Sequence, residues 1–278
     1  MSQERLHQFG DRQVNRFDLY EMAVQCPPIE AQFLDAVHAR QPRVLGEDFA
    51  GPASVSRAWL ALDEDRSAIA TDLDEQPLRH AVRRLVEAKG EAEAQRLTLR
   101  VRDALEVGDR ADVIASLNFA VCELHGRDRL LTYLRNCLFR LEANGVLVCD
   151  LYGGIDAMLP GESEQIVETE DGEIVYTWQQ VEADATTGRV RNAIHFELPG
   201  GVRVRNAFEY DWRLWSPPEL RDAMREAGFR TTEVYAHYGD AMDEDGRLMV
   251  EPISVDGAED IQPPDLDDQW VLYVVGRV

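Results

Sequence analysis

The chain has 278 residues, 45% hydrophobic and 29% charged, which is enough apolar material to fill one large α/β domain with an insertion, or two small domains. Its formal net charge of −23 repels phosphate backbones and argues against nucleic acid as a partner, while also serving solubility. No run of about 18 apolar residues occurs, so no membrane span is expected. The four cysteines form no C-x-x-C pair, Met1 to Asp18 is polar without a signal-peptide run, and a cytoplasmic protein is expected.

From Arg43 onward, short apolar runs alternate with amphipathic stretches. Arg43–Leu45 reads as a strand, Ser54–Leu62 as a helix, and Ser67–Thr71 as a strand with Asp72 at its end. Pro77 to Ala88 places Leu78, Ala81, Val82 and Leu85 on one helical face. Arg96–Val101 and Ala111–Leu117 are strands, the second apolar enough for a buried parallel position. Arg127 to Leu141 is a helix, with Asn144-Gly145 expected as its left-handed stop, and Val146–Leu151 is the fifth strand. This alternation implies a parallel sheet with right-handed crossovers.

Glu173–Glu182, Arg189–Leu198 and Val202–Tyr210 change to period two, separated by Thr187-Gly188 and Pro199-Gly200-Gly201, and predict an antiparallel insertion of about three strands. Ser216-Pro-Pro-Glu219 is a capping box that opens a helix ending at Ala227. Thr231–Tyr235 and Trp270–Gly276 are two more strands, joined by an acidic loop from Gly239 to Asp268. Within it, Asp243-Glu-Asp245-Gly246 lacks calcium ligands at the first and twelfth positions and reads as solvated loop.

Four segments carry chemistry, each at the carboxyl end of a predicted parallel strand, where open α/β sheets bind ligands. Glu47-Asp-Phe49-Ala-Gly51-Pro-Ala53 joins a strand to a helix N-terminus, whose free N–H groups and small residues suit a close-lying ligand; an ordinary strand–helix turn is the alternative. Asp72 stands where a ribose is read through its hydroxyls, with Asp74 placed to cap the next helix. Asp103-Ala104 suits an adenine amino group, and Asn118-Phe119 follows the fourth strand.

With these motifs the chain resembles the class I S-adenosylmethionine-dependent methyltransferase superfamily, of the small-molecule type, over roughly Tyr20 to Val278. Phe49 and Ala53 stand where glycines are commoner in the first motif, and Gly51 keeps the central one. The resemblance implies a Rossmann-like seven-stranded, mostly parallel sheet whose last strand is antiparallel, with an antiparallel β insertion after strand five. It implies S-adenosylmethionine as cofactor, with Glu47 toward its amino end, Asp72 on the ribose, Asp103 and Ala104 on the adenine, and Leu73, Asn118 and Phe119 along its flank. Asp18–Gln25 is similar to the N-terminal helix that closes over the cofactor. Tyr20 in it suits the cofactor carboxylate or sulfonium, or equally a core position. The expected domains are an N-terminal helical segment over 1–40, a methyltransferase domain over 41–154 and 211–278, and a lid over 155–210.

The implied reaction is in-line methyl transfer to a small-molecule nitrogen or oxygen acceptor. His125 is the first candidate base, His195 the second and His237 the third. Cys122 and His125 have metal-like spacing but no second pair, and no metal is expected. Arg189, Arg191, Arg203 and Arg205 would share a sheet face that suits an anionic acceptor, or a solvated surface paired with nearby Glu. A homo-oligomer is compatible with the sequence. The competing readings are a nicotinamide-dependent oxidoreductase, which the Gly51-to-Asp72 spacing suits but the missing G-x-G-x-x-G does not, and a non-catalytic scaffold on the same fold.

Overall fold

A computed structural model describes residues 5–38, 40–236, 238–239, 241–244, 246–256, 266 and 268–278. In chain order the elements are β1 (His7–Phe9), β2 (Arg12–Val14), α1 (Arg16–Ala23), α2 (Pro27–His38), β3 (Val44–Asp48), α3 (Ser54–Leu62), β4 (Ser67–Asp72), α4 (Glu75–Lys89), α5 (Glu91–Ala94), β5 (Leu97–Val101) and β6 (Ala111–Ser116). There follow α6 (Arg127–Arg140), β7 (Leu141–Gly154), β8 (Gly161–Thr169), β9 (Gly172–Asp184), β10 (Arg189–Leu198), β11 (Val202–Arg213), α7 (Pro217–Ala227), β12 (Thr231–Tyr235), β13 (Ala241–Met242), β14 (Leu248–Met249), β15 (Ser254–Val255) and β16 (Gln269–Arg277). The chain divides into two compact units, Pro27–Gly154 with Trp215–Val278, and Met1–Cys26 with Ile155–Leu214.

The larger unit is built on a sheet of order β15-β12-β16-β7-β6-β3-β4-β5. The pairs β3–β4, β3–β6, β4–β5 and β6–β7 are parallel, while β16 runs antiparallel to both β7 and β12. Seven strands with one antiparallel member match the expected sheet. The eighth, β15, comes from the acidic segment and pairs Ser254 with Val234 at the edge. The strand order reverses at β3, so the crevice between β3 and β6 opens at their carboxyl ends. The central strands are apolar on both faces because helices cover both, and Leu45, Val113, Ile114, Ala115, Leu147 and Val148 are wholly buried.

The helices follow their periodicity. α4 buries Leu78, Ala81 and Leu85, with Asp74 accepting from the Gln76 amide as its cap, and α7 has the Ser216–Glu219 capping box. One expectation is corrected. Asn144 does adopt a left-handed backbone, φ 67°, but it lies past the end of α6, in an excursion that separates the Ala111–Leu141 and Val113–Val146 pairs of the ladder. The helix ends at Arg140, and the backbone of Leu141 is already extended.

The smaller unit holds the four-stranded antiparallel sheet β11-β10-β9-β8, the hairpin β1–β2, and α1. The sheet has four strands rather than about three. β8 is an acidic edge strand exposed along most of its length, so it lacks the alternation that marks a half-buried strand. α1 opens on a reciprocal capping box between Asn15 and Asp18. Its Leu19 and Tyr20 join Phe9, Val14, Ile174, Ile194, Phe196 and Leu198 in one apolar cluster.

Candidate functional site

The carboxyl ends of β3, β4, β5 and β6 carry most of the residues the sequence singled out. The loop after β3 turns through three left-handed residues, Phe49 (φ 56°), Gly51 (φ 50°) and Ala53 (φ 50°). Ala50 N donates to Thr71 O at 2.9 Å and Gly51 N to Asp72 Oδ2 at 2.7 Å, which ties the loop to the end of β4. The other Asp72 oxygen accepts from Asp74 N at 2.8 Å. Burial raises the Asp72 carboxyl, opposed by these backbone hydrogen bonds. Each carboxylate oxygen retains a second lone pair for a ligand hydroxyl.

Consecutive strand residues point to opposite faces, and Glu47 and Asp48 show it. Glu47 reaches α3, where its Oε2 accepts from Ser56 N at 2.7 Å. The α3 cap residue is Ala53, which has no side-chain acceptor, so Glu47 supplies that function from the preceding strand. Burial pushes its carboxyl up to about 7, with the Glu30 charge adding to the shift and the Ser56 bonds opposing it. Asp48 turns toward α6 and forms a two-pronged ion pair with Arg140, Nη1–Oδ2 2.7 Å and Nη2–Oδ1 3.1 Å, both side chains essentially unexposed. Tyr133 donates its hydroxyl to the same carboxylate at 3.2 Å, and the Phe49 ring lies edge-on to Tyr133 at 5.6 Å.

Past β5, Asp103 Oδ1 accepts from Leu105 N at 2.9 Å, which shapes its own turn, and Ala104 is buried. Leu73 is 70% exposed beside Asp72, a large apolar side chain open to a ligand. Past β6, Asn118 and Phe119 are both half-buried, and the Phe119 ring packs on Tyr152 at 4.8 Å. Their backbone amides are held by Asp150, which the sequence reading passed over inside the apolar strand Val146–Leu151. A lone acid in such a run was the available signal. The Asp48–Arg140 pair was passed over as well; its trace is that Tyr133, Cys137 and Arg140 share one helical face at i, i+4 and i+7.

The other candidates lie elsewhere. His125 is half-buried just beyond the turn Ala120–Glu123. His195, in β10, has both ring nitrogens engaged by its own sheet, Nδ1 with Asn206 N at 2.8 Å and Nε2 with Gln179 Oε1 at 3.1 Å. His237 lies outside the described residues. Tyr20 is buried against Phe208 in the smaller unit, ring centroids 4.9 Å apart. On the insertion, Arg189 pairs with Asp211, Arg191 with Glu182 and Arg203 with Glu197, the arrangement of a solvated face.

No family model and no curated protein matches the sequence. Solved structures do match in fold. The sugar N-methyltransferase KedS8 from Streptoalloteichus superposes with a TM-score of 0.63 at 18% identity, covering 100% of this chain and 98% of the other. The amino pentose methyltransferase CalS10 from Micromonospora echinaspora, solved with S-adenosylmethionine bound, gives 0.64 at 14% identity over 94% and 96%. The methyltransferase CcbJ from Streptomyces caelestis gives 0.62 at 18% identity over 92% and 97%. The chain shares the fold of these methyltransferases.

Proposed function

We propose that this protein transfers a methyl group from S-adenosylmethionine to a small-molecule acceptor, with the cofactor lying across the carboxyl ends of β3, β4, β5 and β6. The observation that carries this reading is the loop at Gly51. Its amide is fixed on Asp72, and a Cβ built at Gly51 would meet nothing within 4 Å, so the loop leaves room beside a carboxylate suited to ribose hydroxyls. Glu47, buried with only one oxygen on the α3 amide, suits a ligand ammonium. Asp103 and Ala104 suit the adenine, and Leu73 and Phe119 supply apolar flanks.

The bound cofactor supplies an activated methyl on sulfonium, an excellent leaving group. The chain's own task is therefore alignment and exclusion of water. Asp72 and the Gly51 loop fix the nucleoside end, and Phe119 with Tyr152 forms a fixed apolar wall. The acceptor nucleophile in this reading is nitrogen, with oxygen as the alternative. Support for nitrogen comes from the sugar and glycopeptide N-methyltransferases among the structures of like fold. An anionic acceptor finds less support, because three of the four arginines that suggested it are paired with acids.

Calorimetric titration with S-adenosylmethionine and S-adenosylhomocysteine tests the reading. Micromolar binding is expected. Asp72→Ala removes a hydrogen bond to a charged group, worth about 1.5–3 kcal/mol, so affinity should fall by about 10- to 150-fold. Absence of binding to either compound by the folded wild-type protein would overturn the reading. Titration with nicotinamide cofactors in the same series decides the oxidoreductase alternative.

A further inference from the structure

Asp150 lies in β7 between Cys149 and Leu151, and it is 5% exposed. A carboxylate taken out of water at such a place needs strong hydrogen-bond donors. Its donors are two consecutive backbone amides from the end of β6: Asn118 N to Oδ2 at 2.8 Å and Phe119 N to Oδ1 at 2.7 Å. The two residues that donate are also consecutive non-glycine residues in the left-handed region, φ 58° and 62°. Single residues visit that region at a cost, and a pair with full side chains does so only where something outside the pair holds it. Short bonds from both amides to one carboxylate are of the charge-assisted kind strong enough to do so.

A trans peptide unit carries its carbonyl opposite its N–H. Turning the amides of Asn118 and Phe119 onto Asp150 therefore turns the carbonyls of Leu117 and Asn118 away from it. We propose that Asp150 is a positioning residue: its carboxylate locks the left-handed pair Asn118-Phe119, and so presents two backbone carbonyls and the Phe119 wall to an amino-bearing ligand at the carboxyl end of β6. This rests on the methyltransferase reading for the identity of the ligand, while the lock itself is a property of the chain.

The lock is complete when Asp150 is ionised, because a proton on either oxygen weakens the bond that oxygen accepts. Burial pushes this carboxyl up to about 7, opposed by the two amide bonds and by its own backbone amide. Its ionisable neighbours are Tyr273, in register with it on β16, Tyr238 beyond β12, Cys122 in the turn after β6, and Cys149 on its own strand. Burial raises all four, Cys122 to about 12, so none changes charge near neutrality. Glu30 of α2 accepts from Tyr238 Oη at 3.4 Å, and its charge raises both Tyr238 and Tyr273. The Asp48–Arg140 pair, whose acid acts on Cys149, carries its own neutralising charge.

Selective 15N labelling of phenylalanine gives nine amide signals, and a Phe119→Leu sample identifies the one that matters. In the wild-type protein the Phe119 signal should lie downfield in mild alkali and move upfield on acidification with a midpoint near 7. In Asp150→Asn it should not titrate. A wild-type Phe119 amide proton that is not downfield in mild alkali, where the carboxylate is ionised, overturns the lock, and this arm needs no variant at Asp150. S-adenosylhomocysteine should bind Asp150→Asn about tenfold or more weakly, while the variant melts as a folded protein. Unchanged affinity in a folded Asp150→Asn overturns the positioning role. If the wild-type protein binds no S-adenosylhomocysteine, the cofactor reading fails instead, and the Phe119 titration still decides the lock.

Discussion

The first loop of the site is anchored from beneath by the Asp48–Arg140 ion pair, and Arg140→Met tests how much depends on it. The guanidinium presents both Nη atoms to the two carboxylate oxygens, and its Nε bonds Asp109 O at 3.1 Å, so one side chain joins β3, α6 and the segment before β6. The exposures of the two side chains are 1% and 0%, so water cannot take over either charge. Removing one partner of such a pair costs about 3–5 kcal/mol, mainly because the remaining charge is left buried. In a unit of roughly 150–250 residues, each kcal/mol moves the melting point by about 2–4 °C. Arg140→Met should therefore lower the transition of the larger unit by about 6–20 °C in differential scanning calorimetry. The double replacement Asp48→Leu with Arg140→Met removes both charges and should recover most of the loss, since apolar pairs of similar volume often match a buried ion pair. A single variant that melts within about 2 °C of wild type, or a double variant worse than the single, would refute the argument.

Glu47 gives a pH signature of defined sign. Its folded-state carboxyl is raised from 4.5 to about 7, so its favourable contribution is present below the unfolded value and is lost as pH rises through the folded one. The shift corresponds to about 3 kcal/mol, and Glu47→Gln should therefore gain stability over wild type between mildly acidic and mildly alkaline urea titrations; a difference that does not change with pH contradicts it. Gly154→Ala should fail to fold or melt far below wild type, because φ is 115° and the new Cβ would run into the Asp268 carbonyl; circular dichroism of the purified variant checks this. Phe49→Gly removes a left-handed cost of about 1–2 kcal/mol but also the ring contact on Tyr133, so its melting point should stay within a few degrees of wild type. A large drop would mean that the ring shields the ion pair below it.

Much of the sheet was legible because buried parallel strands are short apolar runs and the helices between them have a 3.6-residue stripe. α3 and β12 have the expected bounds, and β4, β5 and β6 differ by a residue at one end. The elements missed were those without a pattern to read. β1 and β2 are three residues each, β8 is exposed and acidic, and β15 has two residues inside the acidic segment. α2 begins at the adjacent Pro27-Pro28, which a first helical turn tolerates well.

The candidate site was legible in position and illegible in direction. Motif spacing locates Glu47, Asp72, Asp103 and Asn118 at strand ends, but on a strand the partner of an acid depends on which face it takes. Glu47 and Asp48 are adjacent and both buried; one completes α3, the other is neutralised by a residue 92 positions later. Asp72 reaches back 21 residues to Gly51, and Asp150 reaches back 32 to Asn118. In each case a carboxylate accepts a backbone amide or a guanidinium from another strand end or helix, and the loop geometry follows from that bond. Where a side chain tethers the loop from outside, as Asp72 does at Gly51 and Asp150 does at Asn118 and Phe119, the backbone can hold a left-handed turn with fewer glycines than an untethered loop would need. The acids at these strand ends are thus first the struts of their loops.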